Sequence, residues 1–155
     1  MNDSADRLER LCWEIRRTFR DLAAAADVEL EPLGIHVGDR ALLEFLAHEP
    51  APVSLSDLAR KRSVSRQHIH QALKRLPDPS WIDRLQNPVD LRTLMLRLSP
   101  KGRAFFRRVR ARDAAFFERL APRVPRAEVE SATRLLRQLR RELGANPGRE
   151  GAPDA

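Results

Sequence analysis

The residues best suited to chemistry lie in a run where Arg66, Gln67, His70, Gln71 and Lys74 are interleaved with Ile69, Ala72 and Leu73. The three apolar residues, with Leu76, recur at helical spacing and define a buried face, which turns the five polar side chains outward. A guanidinium can donate a bidentate pair to guanine O6 and N7, and a carboxamide can pair with adenine N6 and N7. His70 and Lys74 can reach either bases or phosphates. Ser65, just ahead of the run, is an N-cap candidate, and the free N–H groups at that helix end can hold a phosphate. The run is a hydrogen-bonding surface rather than a reaction centre.

Other reactive residue types are sparse. Cys12 is the one cysteine, so no disulfide forms within a chain. It lies on an apolar stripe, which favours packing, although Arg16 one turn on can lower a thiol pKa. His68 and His70 are two apart on a helix and point about 200° away from each other, a poor chelate. No metal and no cofactor is expected. The chain has no Gly-rich phosphate loop, no G-x-S-x-G and no H-E-x-x-H, and Asp83 and Asp90 do not form an acid–base pair, so an enzyme is not expected.

The elements that must position the polar run follow from periodicity. Residues 4–26 form a helix with Ser4 as its cap and Leu8, Leu11, Cys12, Ile15, Phe19 and Leu22 on one stripe. A second helix spans 37–48, with Ala41, Leu42, Phe45 and Leu46 inward. A short helix follows, capped by Ser56 and stopping near Ser63, and then comes the helix from Arg66 to Leu76. Two short helices joined by a tight turn, the second polar outside, make a helix-turn-helix. Residues 81–85 and 91–98 read as two strands around the turn-rich Gln86-Asn87-Pro88-Val89-Asp90, a wing. Ser99-Pro100 opens a long helix to about Leu120, and a last helix spans 126–143 with Gly144 placed to end it.

Charge follows the same division. The chain has 155 residues and a net charge of +7. Between residues 60 and 112 lie 15 Lys or Arg against 3 Asp, a surplus of 12, which leaves −5 for the rest. A basic centre between acidic flanks fits a nucleic-acid surface in the middle and self-association at the ends. At 42% hydrophobic the chain can build a core. No apolar run approaches the roughly 18 residues of a membrane span, and residues 1–10 lack a secretion leader, so a cytoplasmic protein without membrane contact is expected.

Asp90-Leu91-Arg92, followed by Leu96-Arg97-Leu98-Ser99-Pro100-Lys101-Gly102, resembles the wing signature of the MarR family of bacterial transcription regulators. Leu58-Ala59, Val64-Ser65-Arg66, Ile69 and Leu73 are similar to that family's helix-turn-helix. The likeness covers about residues 8–143. It departs at the turn, where Arg62 and Ser63 stand for an apolar residue and Gly. It departs again at Pro77-Asp78-Pro79, at Ser80 in place of Gly, and at Leu91, where a second wing-tip Arg is common. The resemblance implies a mainly α fold with a small β-wing: a winged helix-turn-helix plus terminal dimerisation helices. The expected division is a dimerisation helix over 1–34, a winged helix-turn-helix DNA-binding region over 35–100, dimerisation helices over 101–143 and a disordered tail over 144–155. Arg92 would approach the minor groove, oriented by a charge-assisted hydrogen bond that it donates to Asp90.

The reading is a sequence-specific regulator of transcription, taken as a repressor, that binds double-stranded DNA at a pseudo-palindromic operator as a homodimer. Its DNA-binding residues are Ser65, Arg66, Gln67, His70, Gln71, Lys74, Asp90 and Arg92. Release by a small-molecule effector stays open. The alternatives are a peroxide-sensing regulator acting through Cys12, as in one branch of the resembled family, and a non-specific architectural DNA binder. The sensing branch uses Tyr partners for its thiol, and this chain has no Tyr. With Cys12 as packing, hydroperoxide treatment leaves DNA binding by the wild type and by Cys12→Ser alike unchanged. A response present in the wild type and lost in the variant, read by fluorescence anisotropy, identifies a sensor.

Overall fold

The computed structural model describes residues 3–144; the expected tail lies outside the described residues from position 145 onward. The chain divides into two compact units, Met1–Ala114 and Ala115–Ala155. The order is α1 (Asp3–Leu30), α2 (Val37–Ala47), β1 (Val53–Ser54), α3 (Leu55–Arg62), α4 (Arg66–Arg75), β2 (Ile82–Gln86), β3 (Leu94–Leu98), α5 (Pro100–Leu120) and α6 (Arg126–Gly144). This is a mainly helical winged helix-turn-helix with a three-stranded antiparallel sheet, ordered β1-β3-β2.

In the first unit, α1 runs four residues beyond its expected end. Pro32 constrains only the residue before it, so Glu29 and Leu30 stay helical. Leu30 is fully buried, and Gly34 at φ 70 ends the 3₁₀ turn that follows. Ser4 lies inside the helix that begins at Asp3 and is not its cap. Asp27 accepts a hydrogen bond from the Val37 N–H at 2.8 Å and so ties the end of α1 to the start of α2. In α2 the buried apolar residues are Leu42, Leu43 and Leu46, while Phe45 is half-buried beneath the Arg62 guanidinium, 4.9 Å from its ring centroid.

Two expected details change around α3. The cap is Ser54, not Ser56: its Oγ accepts from the Asp57 N–H at 3.0 Å and donates to Asp57 Oδ2 at 2.8 Å. The chain leaves β1 at Ser54, so Leu55 already takes the first helical position. β1 itself is only two residues long, too short for alternation to reveal, and it pairs Val53 with Leu96 and Ser54 with Met95. Ser63 closes α3 in the left-handed region, φ 52, a conformation that glycine adopts more cheaply. Glu49 fastens this helix end, reaching Lys61 at 2.5 Å and Arg62 at 3.3 Å.

The wing is anchored at its base. Trp81 belongs to a 3₁₀ turn (Pro79–Trp81) rather than to the strand, because the Asp78 side chain caps that turn through the Ser80 N–H at 2.9 Å. Its ring stacks on Phe105 at 3.9 Å and 12°. Ser99 is buried and donates from its backbone N–H to Trp81 O (2.9 Å) and from Oγ to Ser80 O (2.7 Å). The same Oγ accepts from the Gly102 N–H at 2.9 Å and thereby caps α5. β2 and β3 then pair from Ile82–Leu98 out to Gln86–Leu94.

In the second unit, α6 carries Val129, Leu135, Leu136 and Leu143 on its surface and has no buried residue. Its last described residue, Gly144, is still helical, so Gly144 does not stand outside the helix as a terminator.

Gly102 leaves no room for a side chain: a Cβ there would lie 2.0 Å from Trp81 O. Gly102→Ala should therefore destabilise the fold by about 2–3 kcal/mol, the scale of overpacking in a tight interior. Urea denaturation followed by circular dichroism measures it, and an unchanged midpoint would contradict this packing.

Candidate nucleic-acid interface

α4 is held from one side only. Its cap is Ser65, whose Oγ accepts from the His68 N–H at 3.0 Å, as expected from the sequence. Ile69, Ala72 and Leu73 are buried against the core, and Leu76 just beyond the helix is buried as well. Ser65, Arg66, Gln67, His70, Gln71 and Lys74 are all exposed. Among the described residues, none of the side chains of Arg66, Gln67, His70, Gln71 and Lys74 has a hydrogen-bond or ion-pair partner. They form a row of uncommitted donors and acceptors on a rigid helix.

The wing tip is organised differently from expectation. Asp90 does not orient the Arg92 guanidinium. Its Oδ1 accepts from the Arg92 backbone N–H at 3.0 Å and its Oδ2 from Thr93 Oγ1 at 2.7 Å, while the Thr93 N–H donates to Asp90 O at 2.9 Å. An Asp two residues ahead of a backbone N–H forms an Asx turn through one carboxylate oxygen, and the Thr93 hydroxyl engages the other. Asp90 thus shapes the loop, and the exposed Arg92 side chain extends from it unpaired.

Ion pairs sort the basic centre into committed and uncommitted charge. Arg60 pairs with Asp57 (2.6 Å), Arg97 with Asp83 (3.0 Å), and Lys101 with Asp78 (2.7 Å). The Lys101 contact, with the hydrogen bonds from Ser80, lowers the Asp78 carboxyl to about 2. Arg75 approaches the buried Asp39 at 4.0 Å. Arg66 and Lys74 on α4, Arg84 on β2 and Arg92 at the wing tip have no carboxylate partner among the described residues. Arg84 was missed in the sequence, where it reads as an ordinary strand residue. Strand alternation was the available signal, since 82, 84 and 86 share the face that looks toward α4.

Cys12 is half-buried on α1. The Arg16 guanidinium lies over the Trp13 ring, 5.2 Å from its centroid.

A helix-turn-helix, a β-wing and an uncommitted polar face define a winged-helix regulator. Residues 41–94 match the sequence profile of the MarR family. The HTH-type transcriptional repressor Rv2887 of Mycobacterium tuberculosis is 32% identical over 114 residues, 71% of this chain and 79% of the relative. The exopolysaccharide II synthesis transcriptional activator ExpG of Rhizobium meliloti is 30% identical over 103 residues, 66% of this chain and 53% of the relative. The crystal structure of the MarR family transcription regulator SP03579 is similar with a TM-score of 0.81 at 25% identity, over 97% of this chain and 99% of that one. Streptococcus pneumoniae FabT, solved in complex with DNA, matches with a TM-score of 0.70 at 18% identity, over 88% and 97%. The chain belongs to the MarR family, and it is a transcription regulator rather than an enzyme. No helix among the described residues is long and apolar enough to cross a membrane.

The wing turn has a pH signature. Asp90 titrates below the ordinary 3.8, held there first by the Thr93 hydroxyl and then by the Arg92 N–H, since both bond the ionised form. A depressed folded value means that the turn's contribution is present above about 3.8 and is lost as pH falls through the folded value. Thr93→Val removes the larger cause and should move the Asp90 pKa upward toward 3.8, read by carboxyl-carbon NMR titration. No movement would show that the hydroxyl does not hold the carboxylate.

Proposed function

We propose that the chain binds a pseudo-palindromic operator as a homodimer and represses transcription from it. The observation that carries this reading is the α4 face, where Arg66, Gln67, His70, Gln71 and Lys74 are exposed and unengaged beside an unpaired Arg92 at the wing tip. In this reading α4 enters the major groove with Arg66 and Gln67 nearest the base edges, and Ser65 with the helix start meets a phosphate. Arg92 reaches the adjacent minor groove. Repression is favoured over activation because the relative named a repressor is matched over more of its length than the one named an activator.

Self-association is supported by exposed apolar residues at both ends of the chain. Leu8, Trp13, Phe19 and Leu22 are exposed on α1, with Phe19 at 72%. α6 has an apolar stripe and nothing buried, and a helix in water draws most of its stability from a packed face. A second copy supplies that face with the two-fold symmetry that a pseudo-palindrome needs. Residues 1–34 and 101–143 take this role, and 35–100 the DNA-binding one. A cleft of about 350 Å³ lined by Leu46, Leu98, Phe106, Arg103 and Arg107 supports a small amphipathic anion as the releasing effector. Its lining also includes Glu49, the residue that fastens α3. Cys12 has a packing role in this reading.

The test selects bound duplexes from genomic fragments and compares their affinity with random DNA at fixed salt. The expected result is one preferred site with two half-sites roughly 10 bp apart, bound by a species of twice the chain mass in sedimentation. Arg66→Ala should weaken that site by about 1–3 kcal/mol and relax one base preference. Equal affinity for every sequence would identify an architectural binder instead.

A further inference from the structure

A second cleft opens between the recognition helix and the wing. It measures about 180 Å³ and is lined by His70 and Lys74 of α4, Arg84 of β2, and Leu73, Leu94 and Leu96. The sheet register explains why Arg84 is there. Ile82, Arg84 and Gln86 pair with Leu98, Leu96 and Leu94. At the base of the wing this face is core, with Ile82, Leu96 and Leu98 buried. One step outward it opens: Arg84 is exposed and Leu94 is half exposed. The opposite face carries Asp83 and Arg97, which neutralise one another at 3.0 Å. Arg84 has no such partner among the described residues, and neither has Lys74. Two permanent cations and an imidazole therefore line one notch that has no acid in its lining.

The geometry of a duplex says what fills it. One sugar–phosphate strand separates a major groove from the neighbouring minor groove. A duplex with α4 in its major groove and Arg92 in the adjacent minor groove must carry that strand across the gap between α4 and the wing. We propose that this notch is a phosphodiester site in which Arg84, with Lys74 and His70, clamps the backbone between the two grooves. The apolar floor of Leu73, Leu94 and Leu96 suits a deoxyribose face and gives a free inorganic anion little to contact. His70 and Lys74 thereby become backbone contacts, and base reading passes to Arg66, Gln67 and Gln71. Arg84 carries no sequence information: it sets the depth and register at which the readers meet the bases.

This rests on the DNA reading above, and the experiment separates the two. A duplex selected by the wild-type chain is titrated with the wild type, Arg84→Gln and Arg84→Lys over a salt series. Arg84→Gln should weaken binding roughly tenfold for every sequence while keeping the base preferences and, with one Arg84 lost from each subunit of the dimer, should reduce the salt slope by about two. Arg84→Lys should recover most of the slope. Neutral methylphosphonates are then placed one at a time along the duplex. One position in each half-site, between the helix-contacted and wing-contacted bases, should weaken the wild type clearly more than Arg84→Gln, which keeps only the Lys74 and His70 contacts. Melting curves matching the wild type exclude a folding defect.

An unchanged salt slope in Arg84→Gln, or the same methylphosphonate sensitivity in both proteins, overturns the clamp while leaving the DNA reading intact. Inorganic phosphate at constant ionic strength should displace no more DNA than chloride. Specific displacement that disappears in Arg84→Gln would make the notch a free-anion site and would also overturn the proposal. If the wild type selects no duplex at all, the DNA reading fails and the clamp falls with it.

Discussion

The winged region is organised around Ser99. One buried hydroxyl donates to the Ser80 carbonyl and accepts the Gly102 N–H, while the same residue's backbone N–H reaches the Trp81 carbonyl. Three segments meet there: the turn after α4, the end of β3 and the start of α5. A buried hydroxyl must find partners or cost several times what each bond contributes, so the arrangement tolerates little change. Gly102 lets the first turn of α5 approach the Trp81 carbonyl, and the Trp81–Phe105 stack closes the same corner. The position of the wing, and with it that of Arg84 and Arg92, is inherited from this joint.

Charge on this chain does two jobs. Several of the basic side chains are engaged in holding the fold together. Glu49 grips Lys61 and Arg62, Asp83 holds Arg97, Asp78 holds Lys101, and Asp113 takes Arg40 at 2.8 Å. Most of these pairs are at least partly exposed and each adds little stability, but together they silence cations that would otherwise spread over the surface. What remains uncommitted on α4, β2 and the wing tip is a short line of positive groups. Net charge describes neither job, because it does not distinguish a paired guanidinium from a waiting one.

Much of this was legible in the sequence wherever a strong local rule applied. Ser65 before an amphipathic run, Ser99-Pro100 before a long one, and Ile69, Ala72, Leu73 and Leu76 on one stripe all gave the right element and the right face. Two strand patterns around a turn-rich connection gave the wing, the family resemblance agreed with it, and the matched profile and relatives bear that family out. Errors arose where tertiary partners decide. Ser54 and Ser56 are equally good caps by type, and only pairing of β1 with β3 selects Ser54. Trp81 has strand propensity, but Asp78 caps a turn that includes it. Asp90 beside Arg92 looks like an ion pair, but its carboxylate bonds the Arg92 backbone N–H and the Thr93 hydroxyl instead. Alternation groups Arg84 with positions 82 and 86, but which face of the sheet meets α4 is decided only by the tertiary fold.

The left-handed Ser63 in the turn between α3 and α4 has a consequence for how this turn can vary. Glycine would relieve the strain of φ 52, yet it would also give the unfolded chain more freedom to lose on folding. The two effects oppose each other and are of similar size, about 1 kcal/mol. Position 63 is therefore nearly neutral ground, where serine, asparagine or glycine can exchange during divergence without moving α4. Arg62, one residue earlier, fastens the end of α3 to α2: its guanidinium bonds the Phe45 carbonyl at 3.2 Å and lies over the Phe45 ring. This turn therefore leans on a long cationic side chain reaching inward to α2, while its tightest backbone position costs little to change.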